Sequence, residues 1–133
     1  MGQVYADIEL INTSDLEMVR RGYGDPDEVR RITIHALVDS GAFWMSINEN
    51  LQELLQLPLL RKVKNEMADG TRVELELVGP LEIRFGDNRA ICEAVILPGD
   101  SEPLLGVLPM EAMHVLIDPK RQELVPNEKL HRI

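Results

Sequence analysis

The sequence predicts an all-β domain built as one small closed barrel or sandwich, and three observations favour this class. Apolar and polar residues alternate with a period of two over many short segments, as in half-buried strands. Tight-turn sequences such as Asp69-Gly70 and Gly86-Asp87-Asn88 separate these segments. No strand–helix–strand unit recurs, which argues against a parallel α/β sheet. The 133 residues suit a single domain over 1–133.

The first part of the chain contains two predicted strands with a polar stretch between them. Apolar residues alternate with polar ones in Val4–Leu10, which predicts the first strand. Residues 12–28 are polar and contain two glycines and a proline, so we expect a long loop or an extended hairpin there. The apolar residues of Arg30–Val38 again fall on one face, and this second strand ends at Asp39-Ser40-Gly41.

The rest of the chain predicts further short strands and two small helices. Asp69-Gly70 is the strongest hairpin signal and lies between the predicted strands Val63–Ala68 and Thr71–Leu77. Gly79-Pro80 is expected to break the chain before the next strand. The other predicted elements are a strand at Met45–Ile47, a helix around Leu51–Leu55, strands at Leu81–Phe85 and Ile91–Leu97, a Leu104-Leu105-Gly106 element, a helix at Pro109–His114 and a strand at Val115–Ile117.

Composition and charge exclude several classes of protein. Lys and Arg number 14 against 23 Asp and Glu, and the resulting net charge of −9 disfavours a nucleic-acid partner, which requires a basic face. The longest apolar runs, such as Ala94–Pro98, are too short to cross a bilayer, and the first residues lack a signal-peptide pattern, so no membrane partner is expected. Cys92 is the only cysteine, which excludes an intrachain disulfide and a zinc site built on several thiolates. We expect a reduced, cytoplasmic domain.

Other residues with chemical potential lack a functional pattern. Cys92 lies in an apolar segment and is expected to be a small buried side chain. The mixed charges of residues 20–31 are expected to form a solvated loop surface, while Met110 and Met113 have the spacing of a helical core face. No metal site and no cofactor are predicted, because the histidines lie far apart in the sequence and are expected to be structural or surface residues: His35, His114 and His131.

The most informative segment is Ala36-Leu37-Val38-Asp39-Ser40-Gly41-Ala42. A carboxylate directly follows an aliphatic strand, and a hydroxyl and a glycine follow the carboxylate. A buried strand would fix the position of Asp39, and Gly41 would allow a backbone, a partner or a substrate to approach closely. Taken alone, the triplet is more simply explained as a turn between two strands that Asp39 happens to start.

Three motifs in order make the chain resemble the retropepsin-like aspartic proteases, the single-domain proteases typified by the retroviral enzymes. Asp39-Ser40-Gly41-Ala42 ends an aliphatic strand, and Met67-Ala68-Asp69-Gly70-Thr71 forms a hairpin tip with Asp69 lying 30 residues after Asp39. Leu104-Leu105-Gly106 then precedes a short helix. The resemblance covers most of the chain, from about residue 32 to residue 119, with 12–28 as an insertion.

The resemblance implies a retropepsin-like closed barrel or sandwich with a flap hairpin and a short C-terminal helix, acting as a C2 homodimer. It implies that Asp39 is the catalytic acid and that Ser40 makes a reciprocal hydrogen-bonded grip across the subunit interface, within the catalytic triplet that Gly41 completes. The segments Gln3–Leu10 and Glu123–Ile133 would help to join the subunits. The implied backbone contacts to an extended polypeptide substrate are Ala42, Ala68, Asp69 and Gly70.

Two features depart from the family pattern. Phe43 and Trp44 follow Ala42, where the family often has a small residue. We expect these two rings to pack in the core, and the alternative is a wall beside the carboxylate that favours or blocks particular substrate side chains. The hairpin tip carries the charge of Asp69, whereas retroviral flaps are rich in glycine.

The single Asp-Ser-Gly triplet requires a second copy of the chain if the protein is an aspartic protease. Hydrolysis of a peptide bond without a metal or a covalent intermediate needs a base for water and an acid for the carbonyl oxygen, and two carboxylates sharing one proton supply both. A C2 dimer places Asp39 opposite its own copy. The leading hypothesis is therefore a homodimeric aspartic endopeptidase. The alternatives are a non-catalytic dimeric module that binds peptides or supports assembly, and a monomeric all-β domain in which the Asp39 turn is incidental.

Overall fold

The structure is a computed structural model that describes residues 2–127. Strands dominate this region, which confirms the all-β prediction, and none of its helices is long and apolar enough to cross a membrane. The strands are β1 Val4–Asn12, β2 Arg31–Val38, β3 Met45–Asn48, β4 Leu59–Glu66, β5 Arg72–Phe85, β6 Asn88–Leu97, β7 Leu104–Leu105, β8 Val115–Asp118 and β9 Glu123–Pro126, and the helices are α1 Thr13–Arg20, α2 Glu49–Leu55 and α3 Val107–Met113, with a 3-10 turn at Pro26–Glu28.

Seven strands form one mixed sheet that closes on itself. The strand order is β1-β2-β7-β3-β6-β5-β4, and β1 also pairs with β5, which leaves β4 outside the closed part as the outer strand of the β4–β5 hairpin. Most neighbours are antiparallel, but β2 with β7 and β3 with β6 are parallel. Strands β8 and β9 form a separate antiparallel pair. The predicted hairpins at Asp69-Gly70 and Gly86–Asn88 are confirmed as the β4–β5 and β5–β6 connections.

One apolar core fills the inside of this sheet and holds β2 in place. The period-two pattern of β1 buries Ala6, Ile8 and Leu10, as the sequence predicts. Met110 and Met113 of α3 join the same cluster, which confirms their predicted core position. Burial of one large aliphatic side chain stabilises a fold by roughly 1.5–3 kcal/mol. This cluster therefore contributes strongly to the free energy of folding that holds the strands together.

The prediction of a long loop or hairpin over residues 12–28 is wrong, because Thr13–Arg20 is an α-helix. The side chain of Asn12 caps this helix by accepting a hydrogen bond from the Asp15 N–H at 3.0 Å, and its amide donates to the Leu55 carbonyl at 2.8 Å. Asp15 in turn binds the guanidinium of Arg30 at 2.8 Å. Only three of the eight residues of α1 are apolar and none is fully buried, so no continuous apolar face marks the helix in the sequence. Polar contacts define it instead.

The predicted break at Gly79-Pro80 is also wrong. Strand β5 continues through these residues from Arg72 to Phe85, and the pairing register with β6 shifts between Val78 and Leu81. A β-bulge at this point tolerates proline, which cannot donate a ladder hydrogen bond. The Gly79 N–H donates to the Pro58 carbonyl at 3.0 Å, so the bulge also anchors the start of β4.

Candidate active site

Asp39 lies immediately beyond the last residue of β2, where the strand leaves the core. Leu37 and Val38 pair in parallel with Leu104 and Leu105 of β7. The Asp39 N–H then donates to the Leu105 carbonyl at 3.0 Å, which extends the pairing by one residue. This hydrogen bond to β7 holds the backbone of Asp39 in place. The carboxylate therefore starts from a fixed position at the end of the strand, as the sequence predicts.

The four residues 39–42 form a tight turn around the carboxylate. The Gly41 N–H donates to Asp39 Oδ1 at 2.9 Å, and the Ala42 N–H donates to the Asp39 carbonyl at 3.1 Å. A Cβ at Gly41 would lie 3.2 Å from Asp39 Oδ1, which is tighter than ordinary contact and explains the glycine. Within residues 2–127, Asp39 Oδ2 and the exposed Ser40 hydroxyl have no hydrogen-bond partner. The turn therefore orients one carboxylate oxygen and leaves the other open.

The backbone of residues 42–44 packs directly against Gly106. The Val107 N–H donates to the Ala42 carbonyl at 2.9 Å, and the Leu108 N–H donates to the Phe43 carbonyl at 3.0 Å. A Cβ on Gly106 would lie only 2.3 Å from the Trp44 carbonyl oxygen. The structure thus joins two motifs that are 67 residues apart from Asp39 to Gly106. The predicted helix follows them, but it spans Val107–Met113 and so begins two residues before the predicted start at Pro109. A side chain at position 106 would prevent this contact.

A cleft of about 500 Å³ opens in front of Asp39. The end of β2 forms one side, and the N-terminal residues and the β8–β9 connection form the others. Among the residues that the structure describes, Asp39 is the only acidic or basic side chain lining this cleft. The lining residues are Gly2, Gln3, Val4, Leu37, Val38, Asp39, Ser40, Ile117, Pro119 and Gln122.

Among the described residues, the cleft of one copy therefore offers a single carboxylate, that of Asp39. A second acid has to come from outside residues 2–127 if the site is to act as a base and an acid at once. The N-terminal dimerisation segment that the resemblance implies contributes Gln3 and Val4 to the cleft wall. Of the C-terminal segment Glu123–Ile133, residues 128–133 lie outside the described residues, as does His131.

The predicted flap is a β-hairpin with a compact tip. The Met67 N–H donates to the Thr71 carbonyl at 2.7 Å, and Gly70 adopts φ 86°, a conformation that favours glycine. Asp69 Oδ1 accepts the Thr71 N–H at 2.9 Å. The pKa of the Asp69 carboxyl is lowered, first by hydrogen bonding to the Thr71 side chain and then by this backbone hydrogen bond. The charge of Asp69 thus stabilises the tip itself. Within residues 2–127, no hydrogen bond joins Ala68, Asp69 or Gly70 to the Asp39 turn, so their role toward substrate remains a prediction.

The prediction that Phe43 and Trp44 pack in the core is wrong. Phe43 is 57% exposed and Trp44 is half-buried. The two rings pack edge to face, with centroids 4.9 Å apart and planes at 90°. The physical reason is the contact with Gly106, since the backbone of residues 42–44 occupies the inner position and the rings remain outside. We call Phe43 and Trp44 the aromatic platform.

Sequence reasoning missed Arg61 and Glu93 beside this platform. The Arg61 guanidinium lies over the Trp44 ring at 5.7 Å and binds Glu93 through two hydrogen bonds, at 2.8 and 3.3 Å. Hydrogen bonding to Glu93 raises the pKa of Arg61. Arg61 lies on β4, Glu93 on β6 and Trp44 directly before β3, and no local pattern in the sequence indicates that they meet.

The remaining candidate groups are separate from the cleft. Burial raises the pKa of the Cys92 thiol to about 12, which agrees with its predicted packing role and makes it a poor nucleophile. His35 is exposed, stacks on Tyr5 with ring centroids 4.8 Å apart, and contacts Asp7 at 2.8 Å. No group of three or more metal-binding side chains forms within the described part of the chain.

A second cleft of about 530 Å³ lies between α2 and β5. It is marginally larger than the Asp39 cleft but includes no residue of the Asp39 turn, and its walls carry four glutamates. One of these, Glu49, accepts the Gly99 N–H at 2.6 Å and so has a structural role.

No family model matches the chain, and a search of curated proteins finds no significant match. Function is therefore inferred from the motif and its geometry.

Proposed function

We propose that the protein is a retropepsin-like aspartic endopeptidase that acts as a C2 homodimer, with one Asp39 from each copy in a shared site. The observation that carries the proposal is a single ordered carboxylate at the end of β2, which lines an open cleft without a second acid from the described part of its own chain. Such a site is incomplete in one copy, and a twofold axis beside Asp39 completes it.

The chemistry requires the two Asp39 carboxylates to share one proton. Two close carboxylates do not both ionise readily, so one serves as the base that takes a proton from water and the other as the acid that protonates the carbonyl oxygen. The Gly41 N–H fixes Oδ1 of each carboxylate, which leaves Oδ2 for water. The exposed Ser40 hydroxyl is available for the reciprocal contact between the subunits.

An extended polypeptide is the substrate class that fits this arrangement. It would lie between the Asp39 turn and the β4–β5 hairpin as an added strand, with its main chain bonded to Ala42 on one side and to Ala68, Asp69 and Gly70 on the other. The proposal includes a cytoplasmic location, for which the lone reduced Cys92 is the support.

The decisive experiment uses purified protein and an unfolded polypeptide substrate. We expect cleavage with a pH optimum set by the coupled carboxyl pair, and we expect Asp39→Asn to abolish cleavage while sedimentation still shows a dimer. The matched control is Asp87→Asn, which alters an exposed aspartate in the β5–β6 turn and should retain full activity. Cleavage that survives in Asp39→Asn would refute the assignment.

A mixing experiment tests whether the site is shared. If each dimer needs two intact Asp39 residues, an equal mixture of wild type and Asp39→Asn that has exchanged subunits retains only about a quarter of the activity of the same total amount of wild type, because only pairs of intact copies are active. Independent sites would retain about half. The second outcome would rule out the dimeric mechanism.

The exposed aromatic platform favours one other function, a dimeric module that binds a peptide without cleaving it. Phe43, the fourth residue after Asp39, is 57% exposed and offers apolar contact area. This function predicts peptide binding with no turnover at any pH, whereas the protease shows turnover governed by a coupled carboxyl pair.

A further inference from the structure

The aromatic platform exposes a large apolar ring at a position where the chain holds it rigidly. Phe43 is one of only two phenylalanines in the chain, and it is 57% exposed. The Phe43 carbonyl is bonded to the Leu108 N–H at 3.0 Å, and its ring is supported by the edge-to-face contact with Trp44. Because the ring is already ordered, it loses little conformational entropy when a ligand binds to it.

The platform follows the proposed catalytic carboxylate closely along the chain. Phe43 is the fourth residue after Asp39, so their Cα atoms are at most about 14 Å apart, and the closed turn at 39–42 shortens this distance. An extended peptide advances about 3.3 Å per residue, so a ligand bound at Asp39 reaches the platform within about four residues of the cleaved bond.

The charge next to the platform is neutralised. Arg61 covers the Trp44 ring, and both of its hydrogen bonds go to Glu93. A substrate carboxylate would have to displace Glu93 to bind Arg61. The platform therefore favours an uncharged apolar side chain over an acidic one.

We propose that the aromatic platform binds a large apolar side chain of the polypeptide substrate, within about four residues of the cleaved bond, and that Phe43 determines this preference. The inference rests on the proposed function, since it assigns part of the substrate to the same site.

The test uses Trp44, the only tryptophan of the chain, as a fluorescent reporter of binding. Full-length Asp39→Asn protein is titrated with peptides of about ten residues that are identical except that one position in turn carries Leu, Phe or Ala. We expect at least one position at which Leu or Phe binds about tenfold more tightly than Ala, which is the usual discrimination of one apolar contact. Adding Phe43→Ala to the Asp39→Asn protein should abolish this tenfold preference, whereas Phe43→Leu in the same protein should retain most of it.

Tyr23→Ala is the matched control, because Tyr23 is an aromatic residue that is 63% exposed in the segment between α1 and β2. It should leave the ratio unchanged. If the Leu-to-Ala or Phe-to-Ala affinity ratio is unchanged in Phe43→Ala, the inference is overturned. If Phe43→Ala also loses the dimer, the ring is assigned to contact between copies instead.

The same measurements separate this inference from the proposed function. If wild type cleaves peptides but Phe43→Ala shows the wild-type preference, the platform assignment fails and the protease stands. If wild type cleaves nothing while the Phe43-dependent preference in binding persists, the protease fails and the platform stands as a peptide-binding surface.

Discussion

Gly106→Ala tests whether close backbone contact, and not local conformation, requires glycine beneath the Asp39 turn. The φ of Gly106 is −87°, which alanine adopts without strain. The added Cβ, however, would lie 2.3 Å from the Trp44 carbonyl oxygen, 2.8 Å from the Ala42 carbonyl oxygen and 2.9 Å from the Phe43 carbonyl carbon. All three neighbours are backbone atoms, so no side-chain rotation relieves the contact.

The cost follows from the backbone movement that the methyl group imposes. Overpacking of this kind typically costs about 1–3 kcal/mol. Movement of residues 42–44 also weakens the two backbone hydrogen bonds to Val107 and Leu108, each worth roughly 0.5–1.5 kcal/mol. We therefore expect Gly106→Ala to lower the free energy of unfolding by about 2–5 kcal/mol, a large fraction of the roughly 5–15 kcal/mol of a typical domain.

Urea denaturation followed by far-ultraviolet circular dichroism measures this change, and a lowering of the midpoint by roughly 1–2 M is expected. Gly2→Ala is the matched control, because the nearest atoms to its added Cβ belong to the flexible amide end of Gln122, at 3.0 Å. It should change stability by less than about 0.5 kcal/mol. If both variants unfold at the same urea concentration, the contact with Gly106 does not hold the turn in place.

Two further predictions concern the insertion and the cysteine. Hydrogen bonds from Arg30 lower the pKa of the Asp15 carboxyl, so this pair stabilises the fold above the unfolded value of about 3.9 and the contribution is lost as pH falls through the lower folded value. The stability difference between wild type and Asp15→Asn should thus be largest near neutral pH and shrink below about pH 4 in urea titrations; a constant difference would contradict the pairing. Cys92, with its pKa raised to about 12 by burial, should resist iodoacetamide at pH 8 in the native protein and react in urea, as mass spectrometry would show; rapid native alkylation would contradict this.

Most of the strands were predictable because their signal is local. The apolar faces of β1 and β2 alternate in the sequence itself, and Asp69-Gly70 specifies a hairpin by the conformation that glycine permits. Helix α1 was not predictable in this way. None of its residues is buried, and its start depends on an Asn12 side chain that is bonded to Leu55, 43 residues away.

The residues of the candidate site likewise differ in whether the sequence alone could predict their positions. Asp39 was identifiable because a carboxylate followed by Ser40 and Gly41 at a strand end is a recognisable local arrangement. The outward position of Phe43 was not, because it depends on how closely the backbone approaches Gly106. Hydrophobicity alone favours the core for a phenylalanine, and the tertiary contact overrides that preference.

The sequence by itself determined the strand class, the turn that presents Asp39 and the fact that one chain has a single Asp-Ser-Gly triplet, since each depends on neighbouring residues. Only the tertiary structure decided that Gly106 lies beneath residues 42–44, that Arg61 is neutralised by Glu93 next to Trp44, and that no second carboxylate from residues 2–127 lines the cleft. Contacts between residues distant in the chain depend on the packing of the whole sheet, so the short-range periodicity of the sequence does not predict them.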